Sequence, residues 1–136
     1  MLRTGKKKMK RQYIRALRMA AVYENLVGID VSIPSDIRTE EITDDELLSL
    51  TEPIIKKRED LENMISQNLD KLSIDRLALV DRAILVVGLY ESLYEGLAKD
   101  IVINEAINLA YTFSETKFHQ ARGLINAVLD RAIKND

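Results

Sequence analysis

Basic side chains are crowded into one end of this chain. Eight of its 20 Lys and Arg residues fall within positions 1–18, in the run LRTGKKKMKRQYIRALR, and the first acidic residue is Glu24. The remaining 12 basic residues face 22 acidic ones, so a near-neutral net charge of −2 conceals a basic head on an acidic body. Such a cluster is the electrostatic footprint of something that holds phosphates, and RNA or DNA is the first expected ligand. Lys8, Arg11, Arg15 and Arg18 recur at spacings of three and four. On a helix this sets them almost opposite Tyr13, Ile14, Leu17, Ala20 and Ala21. The expectation is a helix with one face in a core and the other wet and positive. Each phosphate neutralised releases counterions, so about five to seven contacts would give strong, salt-dependent binding that ignores sequence. Selectivity for a single strand then needs stacking and base-edge contacts from elsewhere.

Residues for catalysis are scarce. There is no cysteine, which excludes a thiolate nucleophile, a thiolate metal site and a disulfide framework, and suits a cytoplasmic protein. The one histidine, His119, has no second His or Cys with which to share a metal and is expected as a surface or capping residue. A Ser/His pair would need a serine such as Ser114 beside it, and nothing sets that serine apart. Neither phosphate-cradling glycine motif, G-x-x-x-x-G-K-[ST] or G-x-G-x-x-G, is present. Asp81, Glu91 and Glu105 stand on predicted helices without the Glu-x-x-His pairs of a bundled carboxylate metal site, so capping, ion pairing or solvation is expected of them. No metal, no cofactor and no enzymatic activity are expected.

The elements that must carry these residues are helical. With 136 residues, 46% hydrophobic and 31% charged, the chain has the size and composition of one soluble domain with its own core. No apolar run reaches the length of a membrane span. Hydrophobic periodicity predicts a first helix over Met9–Leu26 that stops near Gly28, then a loop over Ile29–Ile42. Thr43 with Glu46 has the spacing of a capping box, and the helix it opens is expected to bend or restart at Pro53. Ser73 is expected to cap IDRLALVDRAILVVGLYESLYEG as a central, buried helix in which Gly88 permits close approach. A further helix carries Ile103, Ala106, Ile107 and Ala110 on one stripe. After a polar connection, SETKFHQARG, the last carries Leu124, Ile125, Val128, Leu129 and Ala132. The reading is one all-α domain over 1–136, of about six or seven helices, with 1–8 as a flexible basic tail.

From Lys71 onward the chain resembles the NusB family of bacterial transcription antitermination factors. The matching pieces are Arg76-Leu77, Val80-Asp81-Arg82-Ala83-Ile84-Leu85, Tyr90-Glu91, Ile103-Asn104-Glu105-Ala106, and Asn126 with Val128-Leu129-Asp130. In the first helix, Arg11 and Arg15 lead into Ala21-Val22-Tyr23 much as in the family. The chain departs from the family at Val86, where an Arg is usual, at Leu97-Ala98, and at Gly123–Ala127, where the preceding loop is also longer. The resemblance implies two small helical bundles packed across each other. It also implies binding of single-stranded boxA-like RNA together with the ribosomal protein NusE, within an RNA polymerase antitermination complex. Lys6, Lys7, Lys8, Lys10, Arg11, Arg15 and Arg18 would then hold backbone phosphates. Lys117, Phe118, Gln120 and Arg122 would discriminate bases, and Tyr23, Asp81, Arg82, Tyr90 and Glu91 would form the partner surface or the core beneath it.

Other readings stay open at this point. GLINAVL also resembles the NusB-like N-terminal domain of rRNA cytosine-5 methyltransferases, although their catalytic domain and cysteine nucleophile are absent, so a free-standing protein is expected. A NusB-like interaction module or dimeric scaffold with an incidental basic tail is the alternative, and a homodimer that hides the basic helix is compatible with such a fold. A basic helix lying on an anionic membrane is disfavoured by its small, Ala-rich apolar face.

Overall fold

A computed structural model describes residues 10–134. They form α1 (Arg11–Val27), α2 (Asp44–Gln67), a 3-10 turn (Ile74–Arg76), α3 (Leu79–Glu95), α4 (Lys99–Phe113) and α5 (Phe118–Ala132), with no strand among them. The all-α expectation holds with five α-helices, slightly fewer than expected. One reason is α2, which runs through Pro53 without a restart. A proline there removes the N–H that would meet the Ser49 carbonyl, but both residues are exposed and water can serve that oxygen. The apolar stretch after Ser73 is divided instead. Ser73 makes no side-chain cap, the 3-10 turn ends at Leu77, and α3 begins only at Leu79.

The capping box forms as its spacing predicts. The Glu46 N–H donates to Thr43 Oγ1 at 3.1 Å and the Thr43 N–H donates to the Glu46 carboxylate at 2.9 Å. Asp44, Asp45 and Glu46 fill the first turn, where their charge meets the positive end of the helix dipole.

α3 is the centre of the molecule. Every residue from 83 to 91 is buried, and the helix packs against α1, α2, α4 and α5. α1 and α2 close one small bundle around it, and α4 and α5 close the other. Gly88 allows the second approach: a Cβ there would sit 3.2 Å from Leu129 Cδ1 on α5 and 3.3 Å from Val102 Cγ1 on α4. α3 ends at Gly96, whose φ of 70° only glycine adopts cheaply, and the Leu97 N–H reaches back to the Glu91 carbonyl at 3.2 Å. Val86 is fully buried, as an apolar residue in the central helix should be.

Two expected boundaries shift. α5 starts at Phe118, so the polar connection shrinks to the few residues before it. The cause is Ala121, buried one turn ahead of Ile125, which extends the apolar stripe backwards. On α4 the buried stripe is Val102, Ala106, Leu109 and Ala110, while Ile103 and Ile107 are half-buried at its margin. No helix among the described residues is long and apolar enough to cross a membrane.

Candidate nucleic-acid interface

The basic head divides at Arg11. The expected tail over 1–8, with Lys6, Lys7 and Lys8, lies outside the described residues, and Lys10 is exposed at the start of α1. Arg11 is 47% exposed and leans on α3, its Nη2 3.2 Å from Glu91 Oε2 and 3.4 Å from Glu95 Oε1. The next two arginines overturn the expectation of a wet, positive face. Arg15 and Arg18 are only 5% and 6% exposed. Arg15 donates through Nε to Glu91 Oε1 at 2.9 Å, and its Nη1 stands 3.5 Å from Glu105 on α4. Arg18 grips both oxygens of Glu95 at 2.9 and 3.0 Å, donates through Nε to the Leu50 carbonyl on α2 at 3.0 Å, and lies 5.2 Å above the Tyr90 ring. The physical reason is that α1 is packed against α2 and α3 at once, so its buried arc is too wide to leave these two side chains in water.

Glu91 is the focus of this network. At 2% exposure its burial pushes the carboxyl above the usual carboxylate range, the hydrogen bond from Arg15 and the charges of Arg15 and Arg11 pull it back down, and Glu95 adds a smaller upward push. A buried carboxylate of this kind is tolerated only with paired, hydrogen-bonded cations. Arg15 and Arg18 therefore fasten α1 to α3, α4 and α2, and their guanidinium groups are not presented to a phosphate.

The expected partner-surface residues divide in the same way. Asp81, Tyr90 and Glu91 are buried, as the core beneath a surface would be, and Tyr90 shows one edge in a surface groove beside Pro53, Lys57 and Tyr94. Asp81 Oδ2 accepts from Thr116 Oγ1 at 3.0 Å, which ties the α4–α5 connection to the first turn of α3, and its Oδ1 has no hydrogen-bond partner among the described residues. Arg82 is a strut: it bonds Glu62 of α2, which also holds Arg58, and the hydrogen bond to Glu62 raises its own pKa above the ordinary arginine value. Tyr23 is half-buried.

At the α4–α5 corner, Lys117, Phe118, Gln120 and Arg122 are exposed at the start of α5, with His119 among them. This is the part of the expected site that the fold brings together in water. Sequence reasoning missed Glu95, Glu62 and Thr116, which hold the arginines and the loop. The signal was present for Glu95: it stands four residues after Glu91 on the same α3 face, opposite the arginine spacing of α1. Among the described residues no group of three or more His, Asp or Glu is placed to hold a metal ion.

Comparison with known proteins gives the arrangement its family. The family model described as "NusB family" matches residues 29–134. The chain belongs to the NusB family. Among curated relatives, the "Transcription antitermination protein NusB" of Bacillus cereus strain B4264 is 35% identical over 126 residues, covering 89% of this chain and 95% of the relative. The protein of that name from Bacillus anthracis strain A0248 matches with the same identity and coverage. Of solved structures, T. maritima NusB superposes with a TM-score of 0.73 at 26% identity, over 93% of this chain and 92% of that one. A chain in the crystal structure of a plectonemic RNA supercoil shares the fold, with a TM-score of 0.68 at 20% identity over 90% and 92% of the two chains. The NusB match and the central α3 with its two flanking bundles agree on one architecture, and antitermination is the function under which the relatives are known.

Proposed function

We infer that this chain is an RNA-binding antitermination factor that acts in the cytoplasm by assembly and not by catalysis. In this reading it binds boxA-like single-stranded RNA together with NusE and joins the RNA polymerase complex, chiefly on rRNA transcripts. The observation that carries the reading is the 35% identity to a transcription antitermination protein over nearly the whole length of both chains. The charge distribution supports it independently, because the basic head is set on an otherwise acidic body.

The burial of two arginines refines the roles. Lys6, Lys7, Lys8 and Lys10 hold phosphates, with Arg11 contributing from the rim. Arg15 and Arg18 position the helix that presents them. Phe118 and Gln120 supply base contacts, Lys117 and Arg122 hold the strand beside them through their charge, and Tyr23 and Arg82 border the protein partner's surface. The test is fluorescence anisotropy of a boxA-like RNA and a scrambled control, each with and without NusE, at two salt concentrations. Tighter binding to boxA that NusE strengthens is the expected result. Equal, salt-sensitive binding to both RNAs would reduce the protein to a basic helical module.

A further inference from the structure

Tyr111 is the most exposed large hydrophobic side chain among the described residues, at 76% exposure, and none of the roles above uses it. It stands near the end of α4 and meets Phe118, at the start of α5, edge to face, with ring centroids 5.2 Å apart and planes at 88°. Phe118 is itself 36% exposed. Two aromatic rings on different helices, one braced by the other and both open to water, form a small rigid platform.

The surroundings of this pair say what it is built to receive. Lys117, His119, Gln120 and Arg122 stand exposed around Phe118, and among the described residues neither Lys117 nor Arg122 is ion-paired. Asn108, one helical turn before Tyr111, and Thr112 beside it share a small cleft with Gln12 and Arg15 of α1 and with Glu105, whose carboxylate stands 3.5 Å from Arg15 Nη1. A path along the surface therefore runs from the basic start of α1, past Gln12 and Thr112, to the aromatic pair and the cations beyond it. A protein partner large enough to cover the platform would meet unpaired cations around it instead of an apolar surround. A nucleotide is matched on both counts, since its base has a π-face for the ring and its phosphate suits the flanking cations.

We propose that Tyr111, braced by Phe118, is a stacking site for one unpaired base of single-stranded RNA, with Lys117 and Arg122 holding the adjoining phosphates. The proposal rests on the RNA-binding reading above and assigns Tyr111 a part in it. Stacking of this kind tolerates any base, so the site adds affinity and fixes the register of the strand without selecting its sequence.

The test compares Tyr111→Ala and Tyr111→Phe in the full chain, titrated with a labelled boxA-like single strand at several salt concentrations. Tyr111 is exposed and packs mainly on one ring, so both variants are expected to fold, as circular dichroism will check. Tyr111→Ala should weaken binding about 10-fold, equivalent to about 1.4 kcal/mol and within the range for one stacked base. Tyr111→Phe should bind as the parent does. The dependence of log Kd on log salt should be the same for all three proteins, because every phosphate partner is retained. Equal affinity of the parent and Tyr111→Ala would overturn the platform and leave the RNA-binding reading intact. Loss of NusE binding with RNA affinity unchanged would also overturn it, making the pair a protein contact. No RNA binding by the parent would remove the reading and the platform together.

Discussion

Replacing Arg15 by methionine, which keeps the length of the aliphatic stem and removes the charge, tests whether this residue holds the fold or the ligand. In the native chain the Arg15 Nε–Glu91 hydrogen bond is 2.9 Å long between two side chains that are almost fully buried. Without Arg15 the Glu91 carboxylate keeps only Arg11, at 3.2 Å and half in water. Breaking a buried pair on one side typically costs about 3–5 kcal/mol. Glu91 has one escape, which is to take up a proton, and its cost sets a ceiling on the loss. From an ordinary value of 4.5, holding that proton at pH 7 costs about 3 kcal/mol, and at pH 5 less than about 1 kcal/mol.

The direction with pH follows from linkage. The folded-state pKa of Glu91 lies above its unfolded value, so stability from this group is complete below that value and is lost as pH rises through the folded pKa. Deleting Arg15 removes the partner that pulls the folded pKa down, which extends the losing window upward. Urea unfolding followed by circular dichroism should show Arg15→Met less stable than the parent by about 2–3 kcal/mol at pH 7 and by under about 1 kcal/mol at pH 5. Arg15→Met with Glu91→Leu, which removes both charges, should recover most of the loss, because an apolar pair of similar volume is often as stable as a buried ion pair. An equal loss at both pH values, or a double variant no better than the single one, would refute this account of Glu91.

Three further outcomes are expected. Replacing Lys7, Lys8 and Lys10 together by Ala should lower the salt slope of RNA binding by about 0.7 for each phosphate no longer neutralised, measured by anisotropy, while Arg15→Met under folding conditions should leave the slope unchanged. Gly88→Ala should destabilise the chain by about 1–2 kcal/mol in urea unfolding, although alanine favours a helix by about 1 kcal/mol, because the new Cβ presses on Leu129 and Val102, both fully buried. Thr116→Val should remove the one hydrogen bond that the buried Asp81 carboxyl makes among the described residues and cost about 1–3 kcal/mol, and in titrations with both RNAs it should narrow the preference for boxA over a scrambled strand by releasing the loop before Lys117.

Much of the fold is legible in the sequence because local signals and burial agree. Thr43 and Glu46 announce the start of α2, and the unbroken apolar run around Gly88 marks α3 as the central helix. Legibility ends where tertiary context outweighs local pattern. Helical spacing separates Arg11, Arg15 and Arg18 from Tyr13 and Leu17, but it cannot say how many neighbours a helix has. α1 has two large ones, so its buried arc takes in charged residues along with apolar ones. Pro53 suggests a break because the exposure of Ser49, which lets water serve its carbonyl, is not visible in the sequence. Tyr111 is hidden for a related reason. An aromatic residue at the margin of a predicted stripe is expected to pack inward, and only the assembled α4–α5 corner shows it pointing to solvent beside Phe118.

The arginine network also limits how much of the basic head can act on a ligand. Arg15 and Arg18 commit their charge to Glu91, Glu95 and Glu105, and Arg11 is shared with two of those carboxylates, so the field that α1 itself projects is largely cancelled. Phosphate attraction must then come from the lysines ahead of Arg11 and from Lys117 and Arg122 at the α4–α5 corner. A strand that answers to both has to cross the surface between them, where Gln12, Asn108 and Thr112 offer neutral hydrogen-bonding groups beside an Arg15–Glu105 pair whose charges offset each other. Charge at the two ends and polar groups between them favour an extended single strand over a duplex, whose evenly spaced phosphates would find only the ion-paired Arg15 along the middle of the path. Preference for single-stranded over double-stranded RNA of the same sequence, abolished when the cations at either end are neutralised, is the behaviour this layout requires.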